Sequence, residues 1–269
     1  MTLLEMRESI RARWFVVYVL IFGGAIILLF TLGITESRVL GFTGLSRLMV
    51  TYIQLCVAVL PVFILITTVR SVVGDRESNV LEYLLSFPIS LGAYYWGKVL
   101  ARFLVVFLPV VVALCGSALW GLFKNLEVVW NTVGYYSLLM GSLTWCFLGI
   151  GMLLSTLTRK QEWGLGMAFL VWLFLLVFID IIMIGVMLQH QVQEQVVIGI
   201  SLLNPLQTFR TATLLLFDPE LSVLGPSAFV ILDHLGRQGF LWFALIYPAG
   251  LGGLCSWSGY EIFRRGDLV

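Results

Sequence analysis

Long stretches without Asp, Glu, Lys or Arg alternate along the chain with short segments that concentrate those residues. Crossing a hydrocarbon core of about 30 Å takes roughly 20 apolar residues at a rise of 1.5 Å each. Five uncharged stretches are long enough: Trp14–Thr35, Leu48–Val69, Phe103–Phe123, Val128–Thr158 and Gln238–Tyr260. A sixth, Trp163–Leu188, is interrupted only by Asp180. Val128–Thr158 exceeds what a span needs, so its ends are predicted as loop. Trp14–Thr35 is longer than the roughly 7–15 apolar residues of a secretory leader and is read as a span. The pattern predicts an all-α polytopic membrane protein with six transmembrane helices, a single transmembrane domain over residues 1–269.

Composition agrees. With 60% hydrophobic and 12% charged residues and a mean hydropathy of +1.00, a water-soluble domain would have too little polar surface. The formal charge of +1 argues against nucleic acid as a partner. The distribution of charge says more than its sum. Arg7, Arg11, Arg13, Arg70, Arg76, Lys98, Arg102, Arg159, Lys160, Arg264 and Arg265 fall on one side of the six-span arrangement; Arg38, Arg47, Lys124, Arg210 and Arg237 fall on the other. Basic residues concentrate in cytoplasmic loops, which predicts both termini inside.

Three segments outside the spans carry patterns of their own. Residues 1–13 mix Leu3, Leu4, Met6 and Ile10 with Glu5, Arg7, Glu8, Arg11 and Arg13, as in a short helix lying along the inner interface. Residues 70–102 form the cytoplasmic segment between spans two and three. There Gly74 and Asp75 are suited to start a helix with Asp75 as N-cap, and Pro88 to end it. Val80, Leu81, Leu84 and Leu85 would form its apolar stripe, leaving Arg76, Asn79, Glu82 and Ser86 to water or a partner. Residues 189–236 are far longer than an ordinary connection and too apolar for a solvated linker, which predicts amphipathic helices at the outer interface. Asn204-Pro205 would start a new element there.

Asp75-Arg76-Glu77-Ser78-Asn79-Val80-Leu81-Glu82-Tyr83-Leu84-Leu85-Ser86, then Pro88-Ile89-Ser90 and Gly97-Lys98, resemble the signature of ABC-2-type transporter permeases. The resemblance implies the ABC-2 (type V) permease fold and a coupling helix that seats in a cleft on a separate ATP-binding subunit. Carried onto this sequence, ATPase coupling falls to Asp75, Arg76, Glu77, Leu81, Glu82, Leu85, Pro88 and Lys98. Asn79 stands where the family often has Gly; Asn tolerates unusual backbone angles, so the pattern still fits.

A narrower resemblance, to the permeases of NosDFY-type transporters that serve copper-site maturation of nitrous oxide reductase, covers nearly the whole chain. It rests on Gly41-Phe42-Thr43, Val171-Trp172-Leu173-Phe174, Phe178-Ile179-Asp180, Leu202-Leu203-Asn204-Pro205, Phe209-Arg210 and Tyr260-Glu261-Ile262-Phe263-Arg264-Arg265. It implies a multi-pass protein of the bacterial inner membrane, acting in denitrification as a homodimer. Two NosF-like ATPase subunits would hold ATP and magnesium, and a periplasmic NosD-like β-helical protein would sit on Val196–Gly236. Asn204, Pro205, Phe209 and Arg210 are the expected contacts to it.

The chemistry carried by the residues themselves is sparse. There is no GxxxxGK[ST] loop, so ATP hydrolysis is expected on another chain, and His190 and His234 have no clustered nucleophile and carboxylate to suggest an enzyme. Cys56, Cys115, Cys146 and Cys255 are dispersed through apolar runs, and Met183 and Met187 share a helix face, a pattern that packing explains as well as metal binding. No metal site is predicted. Asp180, roughly 26 Å along its span at 1.5 Å per residue, lies toward the outer interface, where pairing or capping competes with a role in gating. An ABC-2 exporter of lipid, polysaccharide or drug, and a passive membrane scaffold, remain open readings.

Overall fold

The computed structural model describes residues 24, 44–86, 89–123, 130–178, 181, 199, 202–217 and 226–266. The predicted interfacial helix 1–13, predicted span one apart from Gly24, most of 189–201 with 218–225, and Asp180 lie outside the described residues.

Among the described residues seven α-helices follow in order: α1 Gly44–Glu77, α2 Val80–Leu85, α3 Leu91–Phe123, α4 Trp130–Leu157, α5 Gln161–Leu173, α6 Pro205–Phe217 and α7 Pro226–Arg265. A π-helical turn, Phe174–Phe178, extends α5. Among the described residues four helices are long and apolar enough to cross a membrane: Cys56–Glu77, Leu91–Gly116, Trp130–Leu157 and Gly236–Arg265. They correspond to predicted spans two, three, four and six. The fifth is described as far as Phe178 as the shorter apolar helix Gln161–Val177.

These helices contain Pro61, Pro109 and Pro248, which long membrane helices tolerate because neighbours satisfy the freed backbone groups. Helix α4 is the central element, with residues such as Leu143, Phe147 and Met152 fully buried, and it packs against α1, α3, α5, α6 and α7. Its crossing with α7 is set by glycine. A Cβ on Gly149 would collide with the Gly252 carbonyl, and one on Gly252 would stand 2.5 Å from the Trp145 carbonyl oxygen. In lipid, where the hydrophobic effect does not hold helices together, such close backbone approach supplies the packing.

Two backbone features delimit helices. Gly236 (φ 69°, ψ 160°) breaks α7 where the outer segment was predicted to meet span six. Asn79 (φ 58°, ψ 11°) is left-handed and separates α1 from α2. The predicted helix start at Gly74-Asp75 is not observed: α1 runs through both residues to Glu77. The N-cap preference of Asp75 yields to an ion pair with Lys98, and Gly74 is accommodated because a Cβ there would meet the Gln161 amide nitrogen at 3.1 Å.

Candidate coupling site

The end of α1 and the short α2 form a hairpin-like projection at one end of the bundle. Ser78 closes α1, its N–H and hydroxyl donating to the Gly74 carbonyl at 3.0 and 2.7 Å. Ser86 closes α2 in the same way, its N–H donating to Glu82 and its hydroxyl to the Tyr83 carbonyl. Ser90 then opens α3 by accepting from the Ala93 N–H at 3.2 Å. Three serines therefore satisfy backbone groups at the helix ends around the left-handed Asn79 and the turn into α3.

Helix α2 is anchored by Leu81, which is fully buried, and by half-buried Leu84. Glu77, Ser78, Asn79, Val80, Glu82, Tyr83 and Ser86 are exposed, with Tyr83 at 66%. The predicted stripe thus holds for Leu81 and Leu84, while Val80 is turned outward. The αL angles of Asn79 rotate α2 relative to α1, so a stripe drawn across one continuous helix misplaces it. The side chain of Leu85, and Pro88, lie outside the described residues.

Lys98 and Asp75 form the second part of the site. Lys98 Nζ lies 2.8 Å from Asp75 Oδ2, with side chains 3% and 21% exposed. The Tyr94 hydroxyl donates to the same carboxylate oxygen at 2.7 Å, and the ammonium lies 5.2 Å from the Tyr94 ring centroid. Removing either member takes from the other its oppositely charged partner in this partly buried pair, which destabilises the fold. Glu77 reaches the other way, its carboxylate accepting the Gln161 N–H at the start of α5 at 3.2 Å. Behind them, Tyr94 stacks on Phe263 at 5.6 Å, and the Tyr95 hydroxyl donates to the Ser256 carbonyl of α7 at 2.9 Å. The Ser155 hydroxyl oxygen of α4 accepts the N–H groups of Val72 and Val73 at 2.9 and 3.1 Å. The last turns of α1 thus touch α3, α4 and α5 directly and reach α7 through Tyr94 and Tyr95.

Of the residues expected to couple, Glu77 and Glu82 are exposed, Asp75 and Arg76 half-buried, and Leu81 and Lys98 internal. Tyr94, Gln161 and Ser155 were missed. Tyr94 stands one helical turn before Lys98, a spacing that could have flagged a partner for an ammonium at a membrane boundary. Nothing local marks Gln161 or Ser155.

Most of the described basic residues at helix ends gather at one end. Helix ends carrying Arg76, Lys98, Arg159, Lys160, Arg264 and Arg265 converge around the hairpin, joined by the Asp75–Lys98, Glu77–Gln161 and Tyr94–Phe263 contacts. Arg237 lies at the opposite end, where it donates to the Leu215 carbonyl at 3.4 Å.

That opposite end differs from expectation. Helix α6 does start at Asn204-Pro205, with the Asn204 side-chain oxygen accepting the Leu206 N–H at 3.0 Å. It does not lie on a surface: Asn204, Pro205, Leu206, Phe209, Ala212 and Leu215 are buried, and the helix packs against α1, α4 and α7. The Asn204 amide donates to the Leu175 carbonyl in the π-helical turn at 2.7 Å. Asn204, Pro205 and Phe209 are therefore interior struts within this chain, and only Arg210 of the four predicted contacts is partly exposed.

The comparison with known proteins decides the family. Residues 2–232 match the model for the ABC-2 family transporter protein. The chain belongs to the ABC-2 transporter family. As an ABC-2 permease it is a multi-pass membrane subunit of an ABC transporter, a class that works with ATPase partners. It is similar to a probable ABC transporter permease protein NosY of Stutzerimonas stutzeri, 26% identical over 268 residues that cover 97% of this chain and 95% of the relative. A probable ABC transporter permease protein NosY of Pseudomonas aeruginosa is 24% identical over 253 residues, 91% of each chain. The permease thus has a projecting hairpin, Glu77–Ser86, at the end of the bundle where its basic residues gather.

Proposed function

We propose that this permease is NosY-like and couples ATP hydrolysis on a separate NosF-like subunit, which holds ATP and magnesium, to a periplasmic NosD-like protein. In this reading it works as a homodimer in the bacterial inner membrane and serves copper delivery during nitrous oxide reductase maturation. The observation that carries the coupling role is the hairpin. Its exposed face combines two carboxylates, Glu77 and Glu82, with the 66%-exposed Tyr83, while buried Leu81 ties that face to the spans. An aromatic surrounded by charge on a rigid projection is the composition of an interface anchor rather than of a solvated loop.

The similarity to NosY permeases over more than nine-tenths of the chain supports the copper limb. The burial of Asn204 and Phe209 moves the expected periplasmic contact to Arg210 and to exposed Leu203 beside it. Two measurements separate the limbs. Glu82→Lys and Tyr83→Ala should each weaken ATPase-subunit binding about tenfold or more in reconstituted membranes, the scale of an interface hot spot; unchanged binding would sink the coupling role. A strain lacking this gene should make nitrous oxide reductase without its copper centre. A reductase with full copper in that strain would leave the ABC-2 assignment and remove the copper one.

A further inference from the structure

We propose that Asp75, Lys98 and Tyr94 are positioning residues of the coupling step: a buried latch that passes displacement of the α2 hairpin into α3, distinct from the surface that meets the ATPase. The proposal rests on the coupling role above. Lys98 cannot serve as a docking residue, since only 3% of its side chain is exposed and its ammonium lies 2.8 Å from Asp75. Asp75 stands two residues before the end of α1 and four before the left-handed Asn79, so it sits at the root of the hairpin. Force on exposed Glu82 or Tyr83 reaches α3 and α5 through this root, beside the direct contact that buried Leu81 makes with the core.

Among the described residues, two connections leave the root and a third continues from α3. The ion pair and the Tyr94 hydroxyl, 2.7 Å from the same carboxylate oxygen, carry displacement to α3. The Glu77 carboxylate carries it to α5 through the Gln161 N–H. Tyr94 stacked on Phe263 and Tyr95 bonded to the Ser256 carbonyl carry it from α3 to α7. Val72 and Val73, held by Ser155, fix α1 to α4 just before this root. A buried ion pair is a poor device for stability alone, because desolvation offsets most of its attraction; its best-attested use is to specify one arrangement over another. Placed where one helix end must move another, it resists slippage between α1 and α3.

The test uses the full complex in lipid vesicles, with spin labels at exposed Leu119 and Trp242 near the opposite ends of α3 and α7. The variants are Asp75→Asn, Lys98→Met, the double variant Asp75→Asn/Lys98→Met, and the milder Tyr94→Phe. ATPase-subunit binding should stay at the wild-type level in all four. The change in label distance between ATP-bound and nucleotide-free states should be lost in both single variants and reduced in Tyr94→Phe. The double variant removes both charges of the pair together and should recover thermal stability relative to the single variants without recovering the distance change. Recovery of the distance change in the double variant would reduce the pair to a structural role and overturn the proposal. Loss of ATPase binding in the single variants would also overturn it, by making these residues part of the docking surface. Failure of the coupling role itself shows separately, as unchanged ATPase binding in Glu82→Lys.

Discussion

Asn204 makes two separable contacts, which allows the opposite end of the bundle to be tested quantitatively. Its side-chain oxygen caps α6 by accepting the Leu206 N–H, and its amide donates to the Leu175 carbonyl of the π-helical turn. Asn204→Ala removes both. Loss of an N-cap costs about 0.5–2 kcal/mol, and a buried carbonyl left without a donor costs about 1–3 kcal/mol. The sum, about 1.5–5 kcal/mol, falls in the range of mutations with a named structural cause. Asn204→Asp keeps the cap, because a carboxylate still accepts from Leu206, but it faces Leu175 with an acceptor. It should therefore destabilise through the π-helical contact alone. In a detergent melt read by tryptophan fluorescence, Asn204→Ala should lower the apparent midpoint by about 3–20 °C, taking about 2–4 °C per kcal/mol for a chain of this size. If Asn204→Ala melted within a degree of wild type, the two contacts would not hold α6 to span five. If Asn204→Asp matched wild type, the π-helical contact in particular would be refuted.

Two further predictions concern backbone geometry. Gly252→Val places a branched side chain 2.5 Å from the Trp145 carbonyl and should force α4 and α7 apart, abolishing recovery of folded protein from membranes; size-exclusion chromatography of the detergent-extracted variant checks this. Asn79→Gly should leave stability and coupling nearly unchanged, since Gly adopts the observed angles freely, whereas Asn79→Val should cost about 1–3 kcal/mol and reduce permease-stimulated ATP hydrolysis in vesicles.

Much of this architecture was legible because its causes are local. Uncharged runs of sufficient length identify the helices through Cys56, Phe103, Phe147 and Ala244. Asn204-Pro205 starts α6 where its backbone preferences require, and Gly236 interrupts α7. What escaped depends on partners distant in sequence. Asp75 reads as an N-cap until Lys98, on the next long helix, claims its carboxylate. The apolar residues of segment 189–236 read as belonging to interfacial helices, because composition tells how much of a segment is apolar but not whether lipid or protein covers it. Burial among α1, α4 and α7 answers that, and with it withdraws Asn204, Pro205 and Phe209 from the surface. The π-helical turn at Phe174–Phe178 has no proline or glycine to announce it. Its stabilising donor, Asn204, is supplied from another helix.

The central claim is that the exposed face of α2 meets an ATP-hydrolysing subunit. A photo-crosslinking amino acid placed at position 83 in the native membrane tests it most directly, with position 246 on the exposed face of α7 as the control. Irradiation should yield an adduct from position 83 that contains an ATPase subunit, and none from position 246. No adduct from position 83, with the complex otherwise assembled, would contradict the claim, as would equal ATPase adducts from both positions.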